Sequence, residues 1–389
     1  MVDLDREARR GLHGSRPWRA HREVVDRQPV VGPIEPEHLT HHTQLEWCGA
    51  VADQGDHVAY HTAIVAETSR TLSVLPLLVD APTRQAQIVA ADKYDFPLPG
   101  TGRAAVVVPA PGPGPHQWAG APSAALDVDG SIVLAYRVRS SIDGDYNVIA
   151  RSADGERLAT IGVVTRDRLG AAMVERPALV RTDSGHWRLY VSCATPNSLH
   201  WWIGVLEASE PEGLADAEMR RVFEGDERTT AVKDPVIRYD GRRWQAWICC
   251  HPLDKPGEED RMSTAYATSD DGLTWKWHGT VLTGRPGTWD ARGARLSSIL
   301  PDGRACYDGR ASQEENWFER TGLATPASGN STTPLLVQLD DSPVVDVRYL
   351  DILPLPADGY RIYYEARLPD ESHELRTELI PPGHALDSP

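Results

Sequence analysis

Cysteine is scarce in this chain, and its spacing gives no sign of a disulfide framework. The 389 residues include 5 cysteines, an odd number, and none of them forms a CxxC pair. Stabilisation by disulfides is therefore not expected, and a reducing cytoplasm is the expected compartment. Long apolar runs are also missing. No stretch reaches the roughly 20 residues of a membrane-spanning helix, and the opening segment MVDLDREARRGLHG lacks the apolar centre of a signal peptide.

Positive charge is in short supply as well. Lys and Arg number 40 against 56 Asp and Glu, which gives a formal net charge of −16. A field of this sign repels nucleic acid, so we expect neither a nucleic-acid nor a membrane partner. Several histidines lie near the start of the chain, but no cysteine or carboxylate accompanies them at a spacing diagnostic of a metal site. We therefore predict no bound metal and no cofactor.

Turn-forming residues, by contrast, are abundant, with 32 Gly and 30 Pro. In residues 229–254 these turn-forming residues separate two strand-like runs. An apolar run over 232–239 is followed by Asp240-Gly241, a strong hairpin-turn signal, and by an aromatic and aliphatic run over 244–250. The pattern predicts an antiparallel hairpin whose open end brings together Lys233, Asp234 and His251.

This hairpin is one copy of a repeat. Equivalent turns are predicted at 129–130, 183–185, 240–241, 302–303 and 358–359. Their glycines are separated by 55, 56, 62 and 56 residues, a period typical of repeat architectures. A third and usually a fourth strand-like run follows each hairpin. Four strands per copy and five copies predict an all-β fold, a five-bladed β-propeller of four-stranded antiparallel blades.

The repeat also predicts how the chain is divided. Residues 86–389 form the propeller, and residues 1–85 form an N-terminal extension of uncertain structure. The fifth copy has no fourth strand of its own, so the run RAAVVV at 103–108 is predicted to supply it and to close the ring.

Chemistry in a propeller lies at one mouth of its central funnel, where the inner strands begin and their neighbours end. The predicted inner strands begin near Trp118, Glu175-Arg176, Lys233-Asp234, Asp290 with Arg292, and Asp346 with Arg348. Four of the five starts thus combine a carboxylate with a cation. Because buried charge is costly unless it is paired or used, this recurrence favours a functional mouth over simple blade locking.

Three motifs carry a family resemblance. Lys233-Asp234-Pro235, Glu175-Arg176-Pro177 and the third-strand ending ATSDDG at 267–272 resemble those of the five-bladed propeller glycosidases. That group includes the arabinanase and β-xylosidase families, the invertase-like families and the mannoside phosphorylases. The resemblance implies a sugar-bearing small-molecule substrate and carboxylate acid/base catalysis. Whether a cation lies on the propeller axis, as in some relatives, stays open.

The familiar catalytic triad does not transfer directly. In arabinanase-like families the first inner strand carries an Asp that acts as general base, whereas this chain has WAG at 118–120. One alternative draws an acid/base pair from Glu175, Asp234 and Asp290, as inversion requires. The other resembles the phosphorylases and uses cations to hold phosphate or another anion. The predicted substrate-binding residues are Trp118, Arg137, Arg176, Lys233, His251, Arg292, Arg310, Asp346 and Arg348.

Residues 307–322 (YDGRASQEENWFERTG) are unusually polar and interrupt the fourth copy, which predicts a loop over the mouth. Three functions remain open at this stage. The chain is a glycoside-cleaving enzyme that is hydrolytic or phosphorolytic, an enzyme of specialised metabolism that uses the same mouth for another reaction on a sugar or anionic metabolite, or a non-catalytic ligand-binding propeller. The oligomeric state is not predicted.

Overall fold

Short β-strands make up almost all of the regular structure. The computed structural model describes Lys93, residues 95–328 and residues 333–382. All of them belong to one unit of the chain, Leu75–Pro389. The predicted extension at 1–85 lies outside the described residues. Within the described part, no helix is long and apolar enough to cross a bilayer.

The strands are numbered in chain order. They are β1 Ala105–Val108, β2 Trp118–Leu126, β3 Ile132–Ser140, β4 Gly144–Ser152, β5 Ala159–Thr165, β6 Val174–Arg181, β7 Trp187–Ala194, β8 Trp201–Ala208, β9 Arg220–Phe223, β10 Thr230–Tyr239, β11 Trp244–Pro252, β12 Ser263–Ser269, β13 Lys276–Thr283, β14 Gly293–Ile299, β15 Ala305–Arg310, β16 Arg320–Pro326, β17 Leu336–Gln338, β18 Arg348–Pro354, β19 Tyr360–Arg367 and β20 His373–Ile380. A 3₁₀-helix, Pro211–Asp216, lies between β8 and β9.

Four antiparallel strands in simple chain order form each of three sheets. These sheets are β6-β7-β8-β9, β10-β11-β12-β13 and β14-β15-β16-β17. The fourth sheet has eight strands in the order β18-β19-β20-β2-β3-β4-β5, with β1 also paired to β20. Its two halves are joined by a single parallel bridge between Trp118 and His373. The all-β class is thus confirmed, with four-stranded antiparallel sheets as its unit.

Each predicted turn connects the two strands of its hairpin. Gly241 has φ +86°, and a Cβ there would meet nothing within 4 Å, so the backbone conformation alone explains the glycine. At the last turn Asp358 takes the positive φ, +59°, in place of Gly359. Asp tolerates this conformation better than most residues do.

The first strand of each hairpin contains a register shift near its beginning. The shifts fall after Gly120, Val174, Lys233, Leu296 and Arg348. Three of them carry a non-glycine residue with positive φ: Ala121 at +51°, Asp234 at +50° and Tyr349 at +51°. Bulges re-aim side chains, and residues in this conformation cluster at functional sites.

Among the described residues, apolar side chains pack between neighbouring hairpin units in five buried clusters. One example joins Trp247 of β11 with Trp289 and Tyr307 of the next unit. Another joins Leu134 of β3 with Tyr363 of β19 and Leu375 of β20. The remaining clusters lie between units that are consecutive in the chain. The apolar core is therefore divided among the interfaces between units. The first strands of the hairpins carry the polar and charged groups described below.

Candidate functional site

Buried and partly buried ion pairs run without a break along the open ends of the hairpins. We call this set the charge cluster; its members are Arg137, Arg139, Glu175, Asp260, Arg292, Arg310, Glu319, Arg348 and Glu365. Arg137 contacts Glu175 and, at 3.1 Å, Glu365. Arg348 continues the chain with pairs to Glu365 at 3.1 Å and to Glu319 at 2.7 Å.

The other members extend the chain at both ends. Arg139 pairs with Glu175 at 2.6 Å. At the far end Arg310 pairs with Glu319 and Asp260, and Asp260 in turn pairs with Arg292 at 2.6 Å. Five predicted site residues, Arg137, Glu175, Arg292, Arg310 and Arg348, therefore lie in one continuous network.

A second, shorter network surrounds Asp234. Its carboxylate oxygen Oδ2 accepts hydrogen bonds from Arg295 Nη1 at 3.1 Å and from the Tyr349 hydroxyl at 3.3 Å. Arg295 also donates to Asp308 Oδ2 at 2.8 Å. The other oxygen, Asp234 Oδ1, makes no hydrogen bond to any described residue although it is buried. Asp234 thus has one oxygen that is held by two donors and one buried oxygen without a partner among the described residues.

The pKa values in the charge cluster follow from burial and from the neighbouring guanidinium groups. Burial alone would raise the pKa of Glu175, but Arg137 and Arg139 bring it well below its usual range. At Glu365 burial also raises the pKa, but Arg348 and Arg137 outweigh it and bring the pKa down to about 2. Both carboxylates are consequently ionised at neutral pH, which suits them to hold a charge or orient a group and not to donate a proton.

Asp308 behaves differently. Its side chain is fully buried, and burial raises its pKa despite the opposing effect of Arg295. Arg295 is therefore shared by two carboxylates, Asp234 and Asp308, on β10 and β15. The cation holds together two strands from different sheets.

Lys233 and His251 flank Asp234. Among the described residues Lys233 forms no ion pair, and its ammonium lies 4.8 Å from the centre of the Trp201 ring. Burial and Lys233 lower the pKa of His251 to about 3, so this imidazole is neutral. Its Nδ1 is 2.8 Å from the Glu259 carbonyl, which can only accept, so Nδ1 carries the proton and Nε2 faces Cys249 Sγ at 3.4 Å.

An aromatic group covers the charge cluster on one side. Trp118 stacks on His373 with ring centroids 5.0 Å apart, and the guanidinium of Arg139 lies 5.1 Å from its ring. Trp317, from the loop between β15 and β16, contacts Trp118 at 5.9 Å and His116 at 4.8 Å. Within the segment 307–322 predicted to form a loop, residues 307–310 and 320–322 belong to β15 and β16. The loop of residues 311–319 reaches from this hairpin to the beginning of β2.

Replacing Trp317 with alanine should speed backbone hydrogen exchange at residues 116–120 by up to about tenfold, because aromatic pairs contribute roughly 0.5–1.5 kcal/mol beyond burial. Mass spectrometry of deuterium uptake measures this. Trp277→Ala removes a tryptophan that contacts Phe223 on a different sheet, and it should leave exchange at 116–120 unchanged. Equal uptake in Trp317→Ala and wild type would show that the loop does not cover this end.

Asp290 and Asp346 lie outside both networks. Asp290 bonds to Arg285 at 3.1 Å and to the Tyr307 hydroxyl at 2.7 Å. Since side chains alternate along β15, Tyr307 and Asp308 face opposite sides of the sheet, so Asp290 is not brought to Asp234. Asp346 pairs with Arg367 at 3.2 Å.

Arg176 connects first strands of several units. Its Nη2 donates to the Ser297 carbonyl at 2.6 Å and lies 3.8 Å from Asp351 Oδ1. Burial raises the pKa of Asp351 to about 6, against the opposing effect of Arg176. Arg176 is itself buried. Its contacts join the first strands of different units, and it is not a member of the charge cluster.

Sequence reasoning missed Arg295 and Tyr349. The sequence predicts that the first strand of the fourth hairpin begins at Asp290, but the strand begins at Gly293. Counting back from Asp302 by the number of residues that separates Lys233 from Asp240 leads to Arg295, so the turn spacing held the signal. Tyr349 has no comparable signal, because it is an ordinary apolar-looking strand residue until the bulge turns it inward.

The missing carboxylate of the first hairpin has a structural counterpart. A Cβ on Gly120 would collide with the Glu365 carboxylate, which comes from β19. Glu365 therefore fills the space that a side chain of the first strand would occupy. No grouping of three or more metal-ligating side chains occurs in the described part of the chain.

A cavity of about 350 Å³ lies apart from these networks. Phe223, Val232, Cys250 and Trp277 are among its lining residues, and it contains none of the predicted site residues. Its Asp226 accepts hydrogen bonds from the backbone N–H groups of its own turn. The candidate functional site is therefore placed at the open ends of the hairpins, where the charged side chains lie.

Comparison with known proteins supports the fold. No protein-family model matches the chain, and no curated protein matches it either. Among solved structures, an α-L-arabinofuranosidase from Lactobacillus brevis aligns with TM-score 0.52 at 14% identity, over 67% of this chain and 90% of that one. A thermostable family-43 glycoside hydrolase aligns with TM-score 0.51 at 11% identity, over 67% and 88%.

A β-1,2-mannobiose phosphorylase from Listeria innocua also aligns, at TM-score 0.48, 13% identity and coverage of 74% and 93%, a likeness too low to support an argument. The described chain thus has the fold of β-propeller glycoside hydrolases. The resemblance indicated by the sequence motifs is confirmed at the level of the fold.

Proposed function

We propose that the described strands form a five-bladed propeller, with the eight-stranded sheet contributing two blades. β2 to β5 would be the first blade, and β18 to β20 with β1 would be the fifth. The antiparallel pairing of Ala105 with Thr377 supports β1 as the closing strand. The apolar clusters also support a closed ring. Four of them lie between units that are consecutive in the chain, and the fifth joins the first unit to the last, a contact that an open array would lack.

We infer that the chain is a glycoside-cleaving enzyme that works around Asp234. The observation that carries this proposal is the geometry of that carboxylate. It is buried, it sits at a bulge with positive φ, Oδ2 is held by Arg295 and Tyr349, and Oδ1 has no partner among the described residues. A carboxylate with one oriented oxygen is suited to accept a proton from an attacking water.

The charge balance favours a neutral sugar over an anion. Each arginine predicted to bind an anion already contacts a carboxylate: Arg137, Arg176, Arg292, Arg310 and Arg348. An incoming phosphate would have to compete with those buried carboxylates for the same guanidinium groups. Lys233 is the one predicted cation of fixed charge that lacks an ion pair among the described residues. Water is therefore a better second substrate than phosphate.

The test is a panel of nitrophenyl glycosides of neutral pentoses and hexoses, assayed with and without inorganic phosphate. We expect at least one to release nitrophenol at the same rate in both conditions. A rate that depends on phosphate would indicate phosphorolysis instead. Failure to cleave any member while a small anion binds tightly would overturn the glycosidase proposal.

A second candidate is supported by one observation. At the bulge of the first strand, where blade three has Asp234, blade one has Ala121. A reaction that does not need a carboxylate from the first blade fits this arrangement, as in an enzyme of specialised metabolism that uses the same mouth on a sugar-bearing molecule. Activity on a glycosylated metabolite, without activity on simple glycosides, would favour this candidate.

A further inference from the structure

Tyr349 occupies the position in the fifth hairpin that corresponds to Asp234 in the third. Both residues follow directly on a register shift in a first strand, and their φ values are +51° and +50°. A bulky side chain with positive φ is a genuine outlier. Such conformations persist only where the surroundings fix them, and they cluster at functional sites.

The surroundings fix Tyr349 through both its backbone and its ring. Its backbone N–H donates to the Asp308 carboxylate at 3.1 Å, and the guanidinium of Arg295 lies 3.8 Å from the centre of its ring. The side chain is 1% exposed. Its hydroxyl is therefore held at one place.

The direction of the hydrogen bonds at that hydroxyl is determined by its neighbours. Arg295 Nη1 can only donate, and it lies 2.8 Å from the Tyr349 oxygen. The hydroxyl proton is then left for Asp234 Oδ2, 3.3 Å away. Burial raises the pKa of Tyr349 well above its usual value, so this proton stays in place over the whole working range of pH.

We propose that Tyr349 is a positioning residue for Asp234: with Arg295 it holds Oδ2, and this leaves Oδ1 as the oxygen that takes up a proton. Its kinetic consequence rests on the proposed glycosidase function. Removing the Tyr349 hydroxyl would take one hydrogen bond away from the charged form of the Asp234 carboxylate.

Other charged or titratable groups also face Asp234. They are Lys233 on β10, Cys249 and His251 on β11, Arg295 on β14 and Tyr349 on β18. Of these, Tyr349 is the one whose contribution can be deleted by removing a single uncharged oxygen.

The experiment uses Tyr349→Phe, with Tyr364→Phe as the matched control. Tyr364 is also buried, and its hydroxyl donates to the Glu378 carboxylate at 2.8 Å, outside both networks. For a cleaved glycoside, Tyr349→Phe should lower kcat about tenfold with little change in KM, and the acid limb of the kcat/KM profile should move up by about one pH unit. Tyr364→Phe should change neither.

A readout independent of activity separates this inference from the proposed function. The carboxyl carbon of Asp234 can be followed by ¹³C NMR titration of the full chain labelled at aspartate, with its signal assigned through Asp234→Asn. The midpoint should move to higher pH in Tyr349→Phe but not in Tyr364→Phe. An unchanged midpoint overturns the role of Tyr349 even if glycosides are cleaved. A shifted midpoint supports it even if none is.

Discussion

Replacing Arg295 with methionine should lower the free energy of unfolding by about 3–5 kcal/mol, because it leaves two buried carboxylates without their shared cation. Asp234 and Asp308 are both fully buried and both contact Arg295. Methionine has a similar length and fills much of the space, so the loss reflects uncompensated charge more than a cavity. Urea denaturation at neutral pH measures the effect, through a lower midpoint with an unchanged slope.

The pH dependence of this deficit provides a second check. In the variant, burial without Arg295 raises the pKa of Asp308 further above its value in the unfolded chain. A carboxyl whose pKa is raised by folding favours the native state at low pH and loses that contribution as pH rises. The deficit should therefore be largest at neutral pH and should shrink toward about pH 4, the usual range for Asp.

Arg157→Met is the matched control. Arg157 also pairs with an aspartate, Asp154 at 2.7 Å, but its side chain is 91% exposed. Solvent screens exposed pairs, so no measurable change in the denaturation midpoint is expected. If both variants were equally stable, the Arg295 pairs would not be what holds β10, β14 and β15 together.

Replacing Asp234 with asparagine should reduce the turnover of any cleaved glycoside by about 10²–10⁴-fold, the usual contribution of a general acid or base. The amide keeps an oxygen that can accept from Arg295 and Tyr349, so the fold is preserved. It cannot take up a proton. The loss should appear in kcat more than in KM, because the change affects the chemical step.

Asp358→Asn provides a control of the same chemistry and a similar backbone conformation. Asp358 has φ +59° against +50° for Asp234, but it lies exposed at a hairpin turn. Circular dichroism should show both variants folded, and only Asp234→Asn should be inactive. Full activity in Asp234→Asn would remove Asp234 from the chemistry and would direct attention to Glu175.

The sequence predicted the repeating parts of this molecule better than the parts that depart from the repeat. The turn at Asp240-Gly241 and its equivalents could be located because turn chemistry is local. Glu175 and Asp234 could be placed at strand beginnings for the same reason. The pairing of β1 with β20 could be predicted because the fifth copy of the repeat has no fourth strand of its own.

Contacts between units could not be predicted in this way. The partner of Asp234 is Arg295, which is distant in sequence, and its choice depends on how one bulge aims a side chain at another. The surroundings of Gly120 could not be predicted either. The sequence shows only that this position has no side chain, whereas in the structure Glu365 from β19 occupies the space. Burial decides which of the charges at the strand ends become ion pairs, and burial is a property of the assembled strands.

The pairing of β1 with β20 has a consequence for the order of events during synthesis. β1 leaves the ribosome before every other described strand, and its partner leaves after all of them. Until then Ala105–Val108 is an unpaired strand with an apolar sequence, AVVV, which neighbouring chains could capture. The contact also spans nearly the whole described chain, so it is among the last and slowest to form. Newly made chains should therefore be most prone to aggregate just before β20 is complete.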